Sequence, residues 1–188
     1  VHARNIFAVL EPQIRLDSSE FGIERISESE TYYAALLHDI GKLVNGHYLT
    51  PPSQRQPKQR HVADGFNYLT HQGYPELFSL VALYHHESWE YKGYLNQDGQ
   101  GLKALFNDPQ ISSQIKKAIL LSHIVKIADE IDDHLVKRDP NKPKTTDNLT
   151  LTEYIKYLIT KGEIKPEWTE IVMNYAASLS FGQSSVPH

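Results

Sequence analysis

The sequence predicts an all-α helical bundle. Two observations carry this: apolar residues recur at helical spacing through most of the 188 residues, and no stretch of five or more shows the alternation of a half-buried strand. A third agrees with them, because the residues able to carry chemistry fall at or near the ends of the predicted helices, where a bundle can aim them into one cavity.

In chain order, a first helix is predicted from about Ala3 to Leu10, with Ile6, Val9 and Leu10 as its stripe. Pro12 and the polar run at Asp17 close it. Ser27 and Glu30 form a capping box for a second helix, which carries Tyr33, Ala34 and Leu37, holds His38 and Asp39 in its last turn and stops at Gly41. Residues 44–60 carry three prolines and read as an irregular insertion. A third helix opens at Arg60 and His61, faces Val62, Phe66 and Leu69 inward, and ends at Gly73. The fourth runs from about Glu76 to His86 and buries Leu77, Leu80, Val81 and Tyr84.

Trp89 to Gly101 lacks periodicity and reads as a surface loop. A long helix follows from Ser112 or Ser113 to about Leu135, with Asp129 in its C-terminal half. Lys137 to Asn148 is a hydrophilic linker. Thr150 and Glu153 then cap a helix that presents Leu151, Tyr154, Ile155 and Leu158 and stops at Gly162. Pro166 opens the last helix, which carries Trp168, Ile171, Val172, Tyr175 and Leu179, and the final nine residues read as a frayed tail. The expected organisation is a metal-binding core over residues 1–136, with 137–188 a linker plus two helices packed on the same domain.

Composition narrows the chemistry. The chain has 40% hydrophobic and 22% charged residues, the profile of a globular protein. No apolar run approaches the roughly 20 residues of a membrane span. A net charge of −4 argues against a protein that coats nucleic acid nonspecifically. With no cysteine, any metal must be held by imidazole and carboxylate, and a cytoplasmic compartment is expected. The chain opens at Val1 and its sole methionine is Met173, so it reads as a fragment from which flanking domains are missing.

Among ten histidines the informative set is His2, His38 with Asp39, His61, the adjacent His85 and His86, and Asp129. Imidazole with carboxylate suits Zn, Fe, Mn, Ni or Co, with Mg also open. Five histidines and two carboxylates exceed the coordination of one ion, so two divalent ions bridged by a carboxylate fit better. Asp39 is the expected bridge and catalytic centre. Two ions about 3.5–4 Å apart can hold a hydroxide as nucleophile while polarising phosphoryl oxygens. Lys42, one turn beyond His38, is expected to bind the substrate phosphate and take part in catalysis as charge builds on it. His47, His71, His123, His134 and His188 are read as surface or hydrogen-bonded core residues.

The order H, HD, H, HH, D resembles the HD superfamily of metal-dependent phosphohydrolases. The matching strings are HARN at His2, ALLHDIGK ending at Lys42, HVADG from His61, LYHHE through Glu87, and VKIADEID around Asp129. The resemblance covers residues 2 to 135 and implies an HD-domain helical bundle. It also implies one ion on His2, His38, Asp39 and Asp129, and another on Asp39, His61, His85 and His86. Within the superfamily the chain resembles the HD-GYP phosphodiesterases, which cleave cyclic di-GMP. Their HHExxDGxGYP element falls on His85, His86, Glu87, Glu90, Tyr91, Gly93, Tyr94 and Leu95, where Glu replaces Asp, Tyr replaces Gly and Leu replaces Pro.

The long interval from His86 to Asp129 also resembles the HD nuclease domains of CRISPR-associated effectors. Under that reading Arg55, Lys58 and Arg60 guide a phosphate backbone, and Trp89, Tyr91 and Tyr94 stack on bases. The implied function is hydrolysis of a nucleotide phosphodiester, with a cyclic dinucleotide or single-stranded nucleic acid as substrate. Two alternatives stay open: a non-catalytic module that binds a nucleotide or partner, and a di-iron centre that activates oxygen. Lys42, Arg60 and Tyr94 are the expected substrate contacts.

Overall fold

The computed structural model describes residues 2–46, 58–90, 101–136, 146 and 148–183. Among these residues every regular element is helical and there is no strand. The helices are α1 (His2–Glu20), α2 (Glu28–Leu37), α3 (Ile40–Val44), α4 (Lys58–His71), α5 (Glu76–Tyr84), α6 (Leu102–Asn107), α7 (Ser113–Val136), α8 (Leu151–Thr160) and α9 (Thr169–Gln183). A 3-10 turn at Pro166–Trp168 leads into α9.

The long helix α7 is the axis around which five of the other helices pack. Ala118, Ile119, Leu120, Leu121, Ile124, Val125, Ile127 and Ile131 are buried on it, so it is apolar nearly all round as a central helix must be. It contacts α1, α2, α5, α6 and α8. Two of its buried polar side chains make bonds locally or across the core. Ser122 Oγ donates to the Ala118 carbonyl at 2.7 Å, and His123 Nε2 accepts the backbone N–H of Lys165 at 3.0 Å.

Both predicted capping boxes are present. Ser27 Oγ accepts from the Glu30 N–H and Thr150 Oγ1 from the Glu153 N–H, and each glutamate carboxylate accepts the cap residue's own N–H in return. Gly73 and Gly162 adopt φ of 74° and 63° at the stops of α4 and α8, the left-handed conformation that ends a helix.

Three expectations are corrected. The first helix does not close at Pro12 but runs through it to Glu20. The proline removes one helical hydrogen bond, at a cost of about 3 kcal/mol. Continuing lets Ile14 extend the buried stripe of Ile6, Phe7 and Leu10, and lets Asp17 reach Lys165 Nζ and Trp168 Nε1 at 3.0 and 3.1 Å. Phe7 takes the buried position expected of Val9, which is 38% exposed.

Second, Trp89 is not part of a surface loop: it is 3% exposed and packs on Phe106 and His123. The unexpected helix α6 sits on the same chain segment, its Leu102 and Lys103 N–H groups donating to the Ser88 and Trp89 carbonyls at 2.9 and 3.0 Å. Third, α2 stops at Leu37 and a separate short helix begins at Ile40, so His38 and Asp39 occupy a break between helices.

Candidate metal centre

Asp39 stands at that break with φ −100° and ψ 11°, outside the helical region, and the chain turns there. What brings it to the next helix is the absence of a side chain at Gly41. A Cβ at Gly41 would lie 1.9 Å from the His61 carbonyl oxygen and 2.7 Å from the Gly65 nitrogen, so α3 touches the backbone of α4 directly. α5 packs on α4 in turn and delivers His85 as its C-terminal cap, with His86 next.

Asp39, His61, His85 and His86 form a group whose ligand atoms all lie within 4.8 Å of one another. His61 Nε2 and His85 Nε2 approach Asp39 Oδ1 at 3.3 and 3.5 Å. His86 Nε2 lies 3.1 Å from His61 Nε2. On the other side of Asp39, His38 Nε2 is 3.5 Å from Asp39 Oδ2 and 3.8 Å from Asp129 Oδ1, which α7 supplies. His38, Asp39, His61, His85, His86 and Asp129 are thus drawn together from four helical segments.

The orientation of two rings is set from behind. His38 Nδ1 meets the Ala35 carbonyl at 2.8 Å and His85 Nδ1 the Ala82 carbonyl at 2.9 Å. Only a protonated Nδ1 can donate there, so in the neutral rings each Nε2 carries a lone pair into the cluster, the arrangement that presents imidazole to a metal.

Those inward atoms lack hydrogen-bond partners. His38 Nε2, His85 Nε2 and Asp39 Oδ1 are buried and make no hydrogen bond. Buried polar atoms are almost always satisfied, and orphans on and around Asp39 are what bound cations would satisfy. The donor set of imidazole nitrogen and carboxylate oxygen fits a divalent ion, as the absence of sulfur requires.

For Asp39, His85 and His86 the protonation states agree. Burial would raise the Asp39 pKa, but the adjoining His61 and His85 nitrogens, the His38 charge and the Lys42 ammonium hold it far below the usual carboxylate range. His86 falls to about 2 through burial first and then the charges of His85 and His61, so it is neutral at any physiological pH. His85 is lowered chiefly by burial. Burial would lower His38 as well, but the facing Asp129 and the charges of Asp39 and Asp129 outweigh it and hold the pKa above its ordinary value. A cation bound there would compete with a proton for His38, which would couple affinity to pH.

The remaining expected site residues are placed as follows. Lys42 pairs with Asp39 Oδ2 from one turn along α3. His2 is not among the four clustered ligands: its Nδ1 pairs with the Tyr175 hydroxyl at 2.9 Å and its Nε2 faces Asp132 at 3.7 Å. Arg60 is 59% exposed and lies 3.7 Å from Asp64, which also accepts from Asn45 at 3.1 Å. Tyr94 lies outside the described residues, as do Arg55 and Tyr91. Asp132 and Tyr175 are not among the site residues the sequence predicts. Asp132 had a signal, since it stands one turn after Asp129, whereas Tyr175 is 173 residues from its partner.

Fold and site together define a helical domain whose clustered imidazoles and carboxylates suit a divalent metal ion. The chain belongs to the HD domain family, which residues 8–133 match. Over 136 residues it is 31% identical to a cyclic di-GMP phosphodiesterase of Thermotoga maritima, a match covering 68% of this chain. It spans about a third of that relative's length, 33%. The HD domain of the L. monocytogenes phosphodiesterase PgpH, solved in complex with cyclic di-AMP, aligns with a TM-score of 0.53. That alignment covers 100% of this chain and 90% of the other at 17% identity, a likeness of fold. The chain is an HD domain of all-helical fold, and no described helix is long and apolar enough to cross a membrane.

Proposed function

We propose that this chain hydrolyses a phosphodiester of a nucleotide, with a cyclic dinucleotide as the substrate class, using two divalent ions that share Asp39. The observation that carries the reading is the convergence of three orphaned buried atoms, on His38, Asp39 and His85, with the rings of His61 and His86. The relatives support the substrate class, since one is a cyclic di-GMP phosphodiesterase and the other holds cyclic di-AMP.

Asp39, His61, His85 and His86 would hold one ion. His38, Asp39 and Asp129 would hold the second, joined by His2 in place of its contact with Tyr175. When bound, such ions lower the pKa of water and polarise phosphoryl oxygen. The chain's own residues do the rest. Ala35 and Ala82 fix two ring tautomers, so these ligands lose little freedom on binding. The low pKa of Asp39 keeps its carboxylate ionised and ready to hold a cation. Lys42 neutralises Asp39 and stands one turn away, placed to turn its ammonium onto a phosphate oxygen as negative charge grows there.

The test is turnover by metal-loaded protein on bis-p-nitrophenyl phosphate, cyclic di-GMP, cyclic di-AMP, single-stranded DNA and RNA, with Mn or Ni. The expected result is cleavage of a cyclic dinucleotide, lost with Asp39→Ala. Preferential digestion of DNA or RNA would replace the substrate class with nucleic acid, and bound metal without any cleavage would leave a binding module.

A further inference from the structure

The family match ends at residue 133, yet residues beyond it reach the back of the candidate centre. Lys126 lies on α7 one turn before Asp129, its side chain only 10% exposed. Its ammonium donates to Glu163 Oε2 at 2.6 Å and to the His86 carbonyl at 3.3 Å. The same Glu163 oxygen accepts from Ser88 Oγ at 2.7 Å, and the Glu90 N–H donates to the Gly162 carbonyl at 2.9 Å. The chain leaving His85 and His86 is therefore gripped by the turn that follows α8, through one carboxylate and one buried cation.

We propose that Glu163 is a positioning residue of the metal centre, holding the backbone at His86 through Lys126 and Ser88. The inference rests on the reading of the cluster as a metal site. A buried ammonium keeps its place only while it is paired. Without Glu163, Lys126 loses its anion, Ser88 loses its acceptor, and the turn carrying two adjacent imidazoles loses its side-chain bond to the residues after α8. Lys126 is on the same helix as Asp129, so the clamp sets the two ligand-bearing elements, α7 and the end of α5, against each other.

The experiment measures Mn(II) affinity by calorimetry and the visible absorption of bound Co(II), on the full chain with Glu163→Ala, Glu163→Gln, Ser88→Ala and Asp17→Asn. Glu163→Ala is expected to weaken Mn(II) binding about tenfold and to change the Co(II) band, as loss of outer support around metal ligands does. Glu163→Gln keeps an oxygen able to accept both donors but leaves the Lys126 charge unpaired, and is expected to restore part of the affinity. Asp17→Asn disturbs the other buried ion pair of the C-terminal segment, with Lys165, and is expected to lower stability while leaving metal affinity unchanged.

Wild-type affinity and spectrum in Glu163→Ala, or equal weakening by Asp17→Asn, would overturn the proposal. If Glu163→Ala fails to fold, Ser88→Ala decides: a several-fold loss of affinity supports the clamp and none refutes it. Absence of Mn(II) binding by the wild-type chain would overturn the metal-centre reading together with this inference, whereas binding unaltered by the variants removes this inference alone.

Discussion

At the scale of single residues, the structure separates the histidines of the cluster from one that serves the core. His123 is buried between Trp89 and Trp168, accepts the Lys165 N–H, and has its pKa pushed down to about 3, by burial first and then by the charges of Lys126 and Lys165. Its native form is neutral, while in the unfolded chain it takes up a proton near its ordinary value of 6.5. The stability it confers is therefore complete above pH 6.5 and is lost as the pH falls toward 3, by several kcal/mol at about 1.4 kcal/mol per tenfold change in proton affinity. His123→Phe should flatten the acid side of the stability–pH curve measured by urea unfolding. At neutral pH it should cost about 1–3 kcal/mol, because the Lys165 N–H is left without an acceptor. His2 offers a different test. With its ring on Tyr175, His2→Ala should leave the ion on Asp39, His61, His85 and His86 bound and weaken only the other, read as metal stoichiometry falling from two toward one.

At the scale of elements, the site depends on how closely short helices approach. Gly41→Ala drives a methyl into the His61 carbonyl, and the only relief is to move α3 off α4. A destabilisation of about 1–3 kcal/mol is expected from overpacking, together with loss of metal binding, since Asp39 and His61 ride on the two helices being separated. Ser27→Ala, which removes one capping box, should cost about 1 kcal/mol and leave metal affinity intact. Much at this scale was legible in the sequence, because caps, glycine stops and apolar stripes are local signals. The breaks were not. Pro12 reads as a terminator until Ile14 and Asp17 are seen buried beneath the rest of the molecule. The step between α2 and α3 has no propensity signal, because it is imposed by the fit of Gly41 against another helix.

At the scale of the molecule, the candidate site was legible to the extent that adjacent residues advertise it: His38 with Asp39, His85 with His86, and Asp129 in a motif. Long-range pairs gave no such sign. Lys126 looked like one more helical residue, and nothing local announces Glu163, 37 positions away. The linkage of ligands from α2, α4, α5 and α7 means that metal binding stabilises the whole fold. Divalent metal at a hundredfold excess over its dissociation constant should add about 2.7 kcal/mol, raising the melting temperature by roughly 5–10 °C, and a chelator should reverse it. The most direct measurement is anomalous diffraction at the Mn edge from crystals grown with Mn(II). One peak is expected among Asp39, His61, His85 and His86, and a second between His38 and Asp129. Saturating Mn(II) with no peak at the four-residue cluster, or a peak only elsewhere in the molecule, would contradict the assignment.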